Sequence, residues 1–561
     1  MTGSALPTDR PLRVLGIEGT AWAASAALFE TPDPATSHPD EFVRIESDPY
    51  EPDSGGIHPR EAAEHMADAV PAVVEKVLTT AAERVTADEP PIDAVAFSRG
   101  PGLGPCLRIV ATAARAVAQR FDVPLVGVNH MVAHLEIGRH RSGFADPICL
   151  NASGANAHVL GLQNGRYRVL GETMDAGVGN AIDKFTRHVG WSHPGGPKVE
   201  KRALEGNYVD LPYVVKGMDF SFSGISSAAK QAYDDGVPVE DVCCGLQETV
   251  FAMLTEVAER ALSVTGRDEL VLGGGVGQND RLREMLDIMC EQRGADFFAP
   301  EPRFLRDNAG MIAVLGAKMY ATGDTISIEN SRIDADFRPD QVPVSWRPAD
   351  DGVSERQSTA DALVQGAEAL VEVADGVVTK RRRPRAYRHP TLDARLRAER
   401  TRREARATSE ARRHGVPTPV LRDVDPFEET IRFQAVGDAD LRDALSERAI
   451  ERVGRSLAAI HDAGLVHGDP TVRNVRVNTG TDGDRSDRPQ TFLIDFGLSY
   501  ESRDAEDHAM DLHVFAQSVA GVADDPAPHV ETLQRAYRAA SDRPAAVLDR
   551  LRDIEARGRY Q

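Results

Sequence analysis

No stretch of this chain approaches the roughly 18 uninterrupted apolar residues that a membrane span requires, and Met1 to Pro11 contains no apolar core of signal-peptide length. A cytoplasmic protein is therefore expected. Cysteine is scarce: Cys106, Cys149, Cys243, Cys244 and Cys290 form no Cys-x-x-Cys pair and share no regular spacing. That excludes a disulfide framework and a thiolate zinc site, and leaves five small buried apolar residues. Lysine is almost as rare, with eight among 65 basic residues in a chain of net charge −22. An acidic, lysine-poor surface suits a salt-rich, halophilic cytosol, where abundant carboxylates keep a protein hydrated although screening is strong.

The acidity lapses in one place. From Lys380 to Arg413 there are fourteen Lys or Arg against four Asp or Glu, and the segment from Asp393 to Arg413 reads as helix. Such a run is either a solvated helix face or a contact for a phosphate-rich partner. At 561 residues the chain is too long for one core, so two or three domains are expected.

The most specific local pattern in the first half is Asn129-His130-Met131-Val132-Ala133-His134. Two histidines four apart stack on one helix face and can hold one metal ion. A zinc peptidase would carry Glu, its general base, after the first His; Met131 cannot take a proton.

Around this pattern, short apolar strands repeatedly run into glycine and hydroxyl turns. Leu12 to Ile17 leads to Glu18-Gly19-Thr20-Ala21, and Ala94 to Phe97 leads to Gly100-Pro101-Gly102-Leu103-Gly104-Pro105. Cys149-Leu150-Asn151 leads to Ala152-Ser153-Gly154-Ala155, and Leu270-Val271-Leu272 to Gly273 through Asn279, followed by helical Asp280 to Arg293. Backbone NH groups in such turns face phosphates, and repeated strand-then-helix units put function at strand ends. The hairpin that begins at Cys149 reads as the start of a second, duplicated domain.

Together, Gly16 to Ala21, Gly55 to Arg60, Gly100 to Arg108, His130 to His134, Lys216 to Gly224, Gln247-Glu248-Thr249 and Gly273 to Asn279 resemble the catalytic subunit of the archaeal and eukaryotic KEOPS complex. That family is the tRNA N6-adenosine threonylcarbamoyltransferase, similar to bacterial TsaD. The resemblance spans roughly residues 10 to 345 and implies an α/β, two-lobed actin-like ATPase (ASKHA) fold. It implies that His130, His134 and Asp307 ligate a divalent metal, iron or zinc. It also implies that Asn151, Ala152, Ser153, Gly154, Ala155, Asp183, Gly196, Glu200 and Asn279 line the threonylcarbamoyl-adenylate site. Asn151 stands where archaeal relatives usually have a Tyr that can touch the metal, and Asp307-Asn308-Ala309-Gly310 replaces the usual Asp-Asn-Gly-Ala, so the fourth metal contact stays open.

Residues 346 to 357 read as a linker, and 358 to 561 as a second domain. Gly366 and Ala367 are half of a glycine-rich nucleotide loop. Val377-Val378-Thr379-Lys380 reads as a strand, Glu404 lies on the arginine-rich helix, and Asp469, Asn474 and Asp495-Phe496-Gly497 follow in kinase order. In that scheme Lys380 holds ATP phosphates and pairs with Glu404, Asp469 is the catalytic base, and Asn474 and Asp495 hold magnesium. Arg381 to Arg388, Asp393 to Glu404 and Arg557 to Arg559 resemble the small RIO-like KEOPS kinase, a small α+β bilobal fold. Pro470 and Arg473 depart from its usual catalytic loop. Some archaea carry both subunits in one chain, which implies a bifunctional enzyme. Its expected partners are tRNA (through Arg402, Arg403 and Arg406), threonylcarbamoyl-AMP, ATP and other small KEOPS subunits. The competing reading is a signalling Ser/Thr kinase with an actin-like regulatory domain.

Overall fold

The structure is a computed structural model, and it describes residues 10–50, 58–86, 89–154, 156–163, 165–347, 364–365, 369–479 and 491–557. The chain divides into two compact units. The first comprises 1–212, 221–258 and 267–354; the second comprises 213–220, 259–266 and 355–561. The division at 354/355 falls inside the expected linker, but two short segments of the first half group with the second unit. The first two residues of the expected linker, Trp346 and Arg347, have partners in the first unit. Trp346 stacks on Tyr167 at 6.3 Å, and the buried Arg347 donates to Asp146 and to the Ala145 carbonyl, both at 2.9 Å. An aromatic and a guanidinium with partners of this kind belong to a packed domain.

Two sheets of the first unit have the same topology. In one, Leu12–Glu18, Ala23–Thr31 and Phe42–Pro49 form an antiparallel meander, and Ala94–Gly100 and Leu125–Asn129 add in parallel beside Leu12–Glu18. In the other, Ile148–Ala152, Ala157–Gln163 and Arg166–Glu172 form the meander, and Glu269–Gly273 and Asp296–Phe298 add in parallel. This duplication is that of the actin-like fold, and it confirms the hairpin at Cys149. The central strands are buried on both faces, as their unbroken apolar runs require.

The helix Ala309–Ala321 is apolar apart from Lys318 and buried along almost its entire length. It lies directly on the strand Leu12–Glu18 because Gly16 has no side chain: a Cβ there would sit 2.4 Å from the Ala309 carbonyl oxygen. That close approach fixes the start of the helix, where Asp307 and Asn308 stand.

In the second unit, Val364–Gln365, Ala369–Ala374, Val377–Arg382, Leu421–Asp425 and Thr430–Gln434 make an antiparallel sheet. The arginine-rich helix spans Pro390–Arg413, starting three residues before the sequence-based expectation because Pro390 is well suited to a first helical turn. Helices Glu447–Asp462, Ala505–Ala520, Ala527–Ala540 and Pro544–Arg557 supply a separate helical core around Leu457, Phe515 and Tyr537.

Candidate metal centre and kinase-like site

The histidine helix spans His130–Ser142. It starts where Asn129 ends a strand and accepts from the Val132 amide at 3.0 Å through its side chain. The Asn129 side chain also donates to the Phe337 carbonyl at 2.8 Å. This cap sets the first turn, and so the direction of both histidines. Asp307 arrives from the start of the Ala309–Ala321 helix, which Asn308 caps by accepting from the Met311 amide at 3.1 Å. His130 Nε2 and His134 Nε2 then lie 3.3 and 3.4 Å from the same oxygen, Asp307 Oδ1. Ligands about 2.0–2.1 Å from one ion at a near-tetrahedral angle are about 3.3–3.4 Å apart, so these separations match a shared ion.

Glu18, which sequence reasoning did not place in the site, lies behind His130. It is fully buried at the end of the first strand, accepts from the Thr20 amide at 2.8 Å and is 3.2 Å from His130 Nδ1. A carboxylate on Nδ1 leaves Nε2 as the ligating atom. Burial alone would depress His130, but Glu18 and Asp307 outweigh it and push its pKa up to about 10. His134 is held below its ordinary value by burial. Asp307 stays ionised far below the carboxylate range because the two histidines overcome its burial. Asn151 Oδ1 and His134 Nδ1 are buried without a hydrogen-bond partner among the described residues. The Asn151 amide instead meets His158 Nε2 at 3.2 Å, and burial beside His134 and His130 keeps His158 down at about 3. Two imidazoles, a carboxylate and an unsatisfied amide oxygen nearby fit a divalent cation.

The two helices that carry the ligands are locked to each other. Lys318 Nζ lies 3.1 Å from Glu136 Oε2, and Arg139 and Tyr167 also bind that carboxylate. Glu136 is fully buried, yet Lys318 and Arg139 keep it ionised well below its usual range.

Hydrogen bonds and close backbone approaches link several of the expected adenylate-site residues in the first unit. Gly274 takes a positive φ of 83°, and a Cβ there would meet Asn151 Oδ1 at 2.6 Å and the Ala152 carbonyl oxygen at 2.2 Å. The Asn180 amide donates to Gly154 O at 2.9 Å, which sets the Val178–His188 helix against the Ser153-Gly154 turn. From that helix Asp183 accepts from the Gly195 amide at 2.8 Å and meets His193 at 3.1 Å. Glu200 accepts from the Asp280 amide at 2.8 Å, and Asn279 from Arg281 and Leu282. Asp183 is therefore engaged at the turn before Gly196, and Glu200 and Asn279 at the start of the Asp280–Arg293 helix. Ala155 lies outside the described residues.

In the second unit, Lys380 Nζ is 2.8 Å from Glu404 and 2.7 Å from Asp495. Asn474 Nδ2 donates to Asp469 Oδ2 at 3.0 Å, and Arg260 Nη1 is 3.4 Å from the same oxygen. Asp511 accepts from the His467 and Gly468 amides at 2.7 and 2.9 Å, which holds the turn before Asp469. Arg402, Arg403 and Arg406 are exposed on the Pro390–Arg413 helix, with no ion pair among the described residues. Gly366, Ala367 and Arg559 lie outside the described residues.

The protein is thus a duplicated actin-like unit joined to a kinase-like unit. Residues 43–314 match the family TsaD, tRNA N6-adenosine threonylcarbamoyltransferase, and 420–537 match the lipopolysaccharide kinase (Kdo/WaaP) family. A "probable bifunctional tRNA threonylcarbamoyladenosine biosynthesis protein" of Haloarcula marismortui is 70% identical over 98% of this chain and 100% of its own length. Proteins of that name in Halobacterium salinarum (67%, 98% of this chain, 99% of its own) and Methanospirillum hungatei (50%, 98% and 99%) are similar over the same span. The chain belongs to this family of bifunctional tRNA threonylcarbamoyladenosine biosynthesis proteins. Among the described residues no helix is long and apolar enough to cross a membrane.

Proposed function

We propose that the first unit transfers the threonylcarbamoyl group of threonylcarbamoyl-AMP to N6 of the adenosine 3′ of the anticodon in tRNAs that read codons beginning with A. The second unit supports or regulates that modification as a kinase or ATPase. The observation that carries the reading is the convergence of His130 and His134 on one oxygen of Asp307.

Adenine N6 attacks the carbamoyl carbonyl carbon, the bond to the AMP phosphate breaks, and AMP leaves. An exocyclic amine is a weak nucleophile. A divalent ion, iron or zinc, held by His130, His134 and Asp307 would supply Lewis-acid polarisation of that carbonyl. Glu18 fixes the tautomer of His130, and the buried Asn151 oxygen offers a further ligand. Asp183 holds the turn before Gly196, and Glu200 and Asn279 hold the start of the Asp280–Arg293 helix, so that backbone NH groups of the glycine turns beside them would face the adenylate.

In the second unit Lys380 would hold ATP phosphates, Asn474 and Asp495 would hold magnesium, and Asp469 would orient water or a hydroxyl at the γ-phosphate. Only a short segment separates Leu498 from the Ala505–Ala520 helix. That leaves little platform for a peptide, which favours an ATPase role over a signalling kinase. The exposed arginines Arg402, Arg403 and Arg406 would contact tRNA phosphates, with other small KEOPS subunits as partners in the cytoplasm. The test is metal analysis of the purified chain, then transfer from synthetic threonylcarbamoyl-AMP to unmodified tRNA in the presence of those subunits. Modified adenosine in stoichiometric yield is expected, and no transfer by metal-replete protein refutes the reading.

A further inference from the structure

Glu404 has one more partner than a lysine–glutamate pair supplies. On the strand Val377–Arg382 the side chains of Lys380 and Arg382 point to the same face, two residues apart. Lys380 Nζ is 2.8 Å from Glu404 Oε1, and Arg382 Nη2 is 2.6 Å from Glu404 Oε2, so each oxygen has its own cation. Both members of the Arg382–Glu404 pair are 2% exposed. Arg382 also lies under the Asp495-Phe496-Gly497 turn: a Cβ on Gly497 would be 2.7 Å from Arg382 Nη2. The guanidinium thus touches the helix that carries Glu404 and the turn that carries Asp495.

Lys380 is committed twice, to Glu404 and to Asp495 at 2.7 Å. With ATP bound, Lys380 would have to divide its three protons among phosphate oxygens and these carboxylates, so that it would no longer neutralise Glu404 alone. A carboxylate with 1% exposure cannot lose its counter-charge cheaply. Burial already pushes the Glu404 carboxyl up, against Lys380 and Arg382. An arginine stays charged whatever Lys380 does.

We infer that Arg382 is a positioning residue of the kinase-like site: it keeps Glu404 inward and ionised while Lys380 engages ATP. The Lys380–Glu404 pair therefore stands assembled without a phosphorylated activation segment, which the short connection after Leu498 does not provide. The inference rests on the kinase-like reading of Lys380, Asp469 and Asp495.

The experiment is steady-state ATP hydrolysis by the full chain, with Arg382→Met, Arg382→Lys and Asp469→Ala beside the wild type, each also treated with phosphatase. Loss of positioning through Glu404 predicts a kcat at least about ten-fold lower in Arg382→Met, with KM for ATP changed by less than about three-fold. Arg382→Lys should recover most of that loss, and phosphatase should leave the wild-type rate unchanged. Wild-type kcat in Arg382→Met overturns the inference. So does a loss that lysine does not rescue and that tracks a lower melting temperature, which marks a packing role only. A rate that collapses after phosphatase overturns the claim of standing assembly. Hydrolysis that survives Asp469→Ala removes the kinase-like reading itself, and the inference with it.

Discussion

The candidate metal centre and the kinase-like site present opposite charge problems. In the first unit His130, His134 and Asp307 turn ligand atoms toward one point, while His134 Nδ1 and Asn151 Oδ1 lie buried without partners among the described residues. In the second, Lys380 and Arg382 already compensate Glu404, and Lys380 reaches Asp495 as well. In the proposed reading a cation from outside would complete the first set, whereas the carboxylates of the second already stand paired with Lys380 and Arg382. Behind each is a buried ion pair that joins two functional elements, Glu136 with Lys318 and Glu404 with Arg382. An open ligand set can be abolished by removing any member, whereas a closed set fails by degrees.

The sharpest break is at the triad. His130→Ala and Asp307→Ala should each lose most bound metal and abolish transfer while circular dichroism stays native, because a three-ligand site has no spare protein ligand. Retained metal and activity in either variant would falsify the assignment. Next, Asp469→Ala should remove ATP hydrolysis and autophosphorylation together. A single round of transfer from preformed threonylcarbamoyl-AMP should survive, because its ligands are in the other unit. Multiple turnover with partner subunits present should fail, and normal multiple turnover without hydrolysis refutes the coupling of the two activities.

Smaller effects test what stands behind the sites. Lys318→Met leaves Glu136 buried with Arg139 as its remaining cation and should cost about 3 kcal/mol in denaturant unfolding; an unchanged midpoint would show that the pair locks nothing. Glu18→Gln should weaken metal affinity about 10–100-fold in a chelator competition without unfolding the chain, the usual cost of removing a carboxylate behind a ligating histidine. Unchanged affinity would leave Glu18 as a turn residue. Smallest, Arg402, Arg403 and Arg406 changed together to Gln should weaken tRNA binding and lower the slope of log affinity against log salt by about three. An identical slope makes the arginine face merely solvated.

Local chemistry carried much of this protein into view from sequence. The His-x-x-x-His spacing defines a helix face by itself, and the helix Asp280–Arg293 was legible residue for residue. The order Lys380, Glu404, Asp469, Asn474, Asp495 is a property of the chain, since those residues stand on successive elements that short-range periodicity and turn chemistry specify. Tertiary structure alone decided the partners. Glu18 meets His130 across 112 residues, Lys318 meets Glu136 across 182, and Arg260 meets Asp469 across 209. It also decided that Asp183 meets the Gly195 amide, that Glu200 and Asn279 meet the first amides of the Asp280–Arg293 helix, that Trp346 stacks on Tyr167, and that Arg382 shares Glu404. The physical reason is that spacing sets which face a side chain takes, while sheet order and close approaches such as Gly16 on Ala309 set what that face meets.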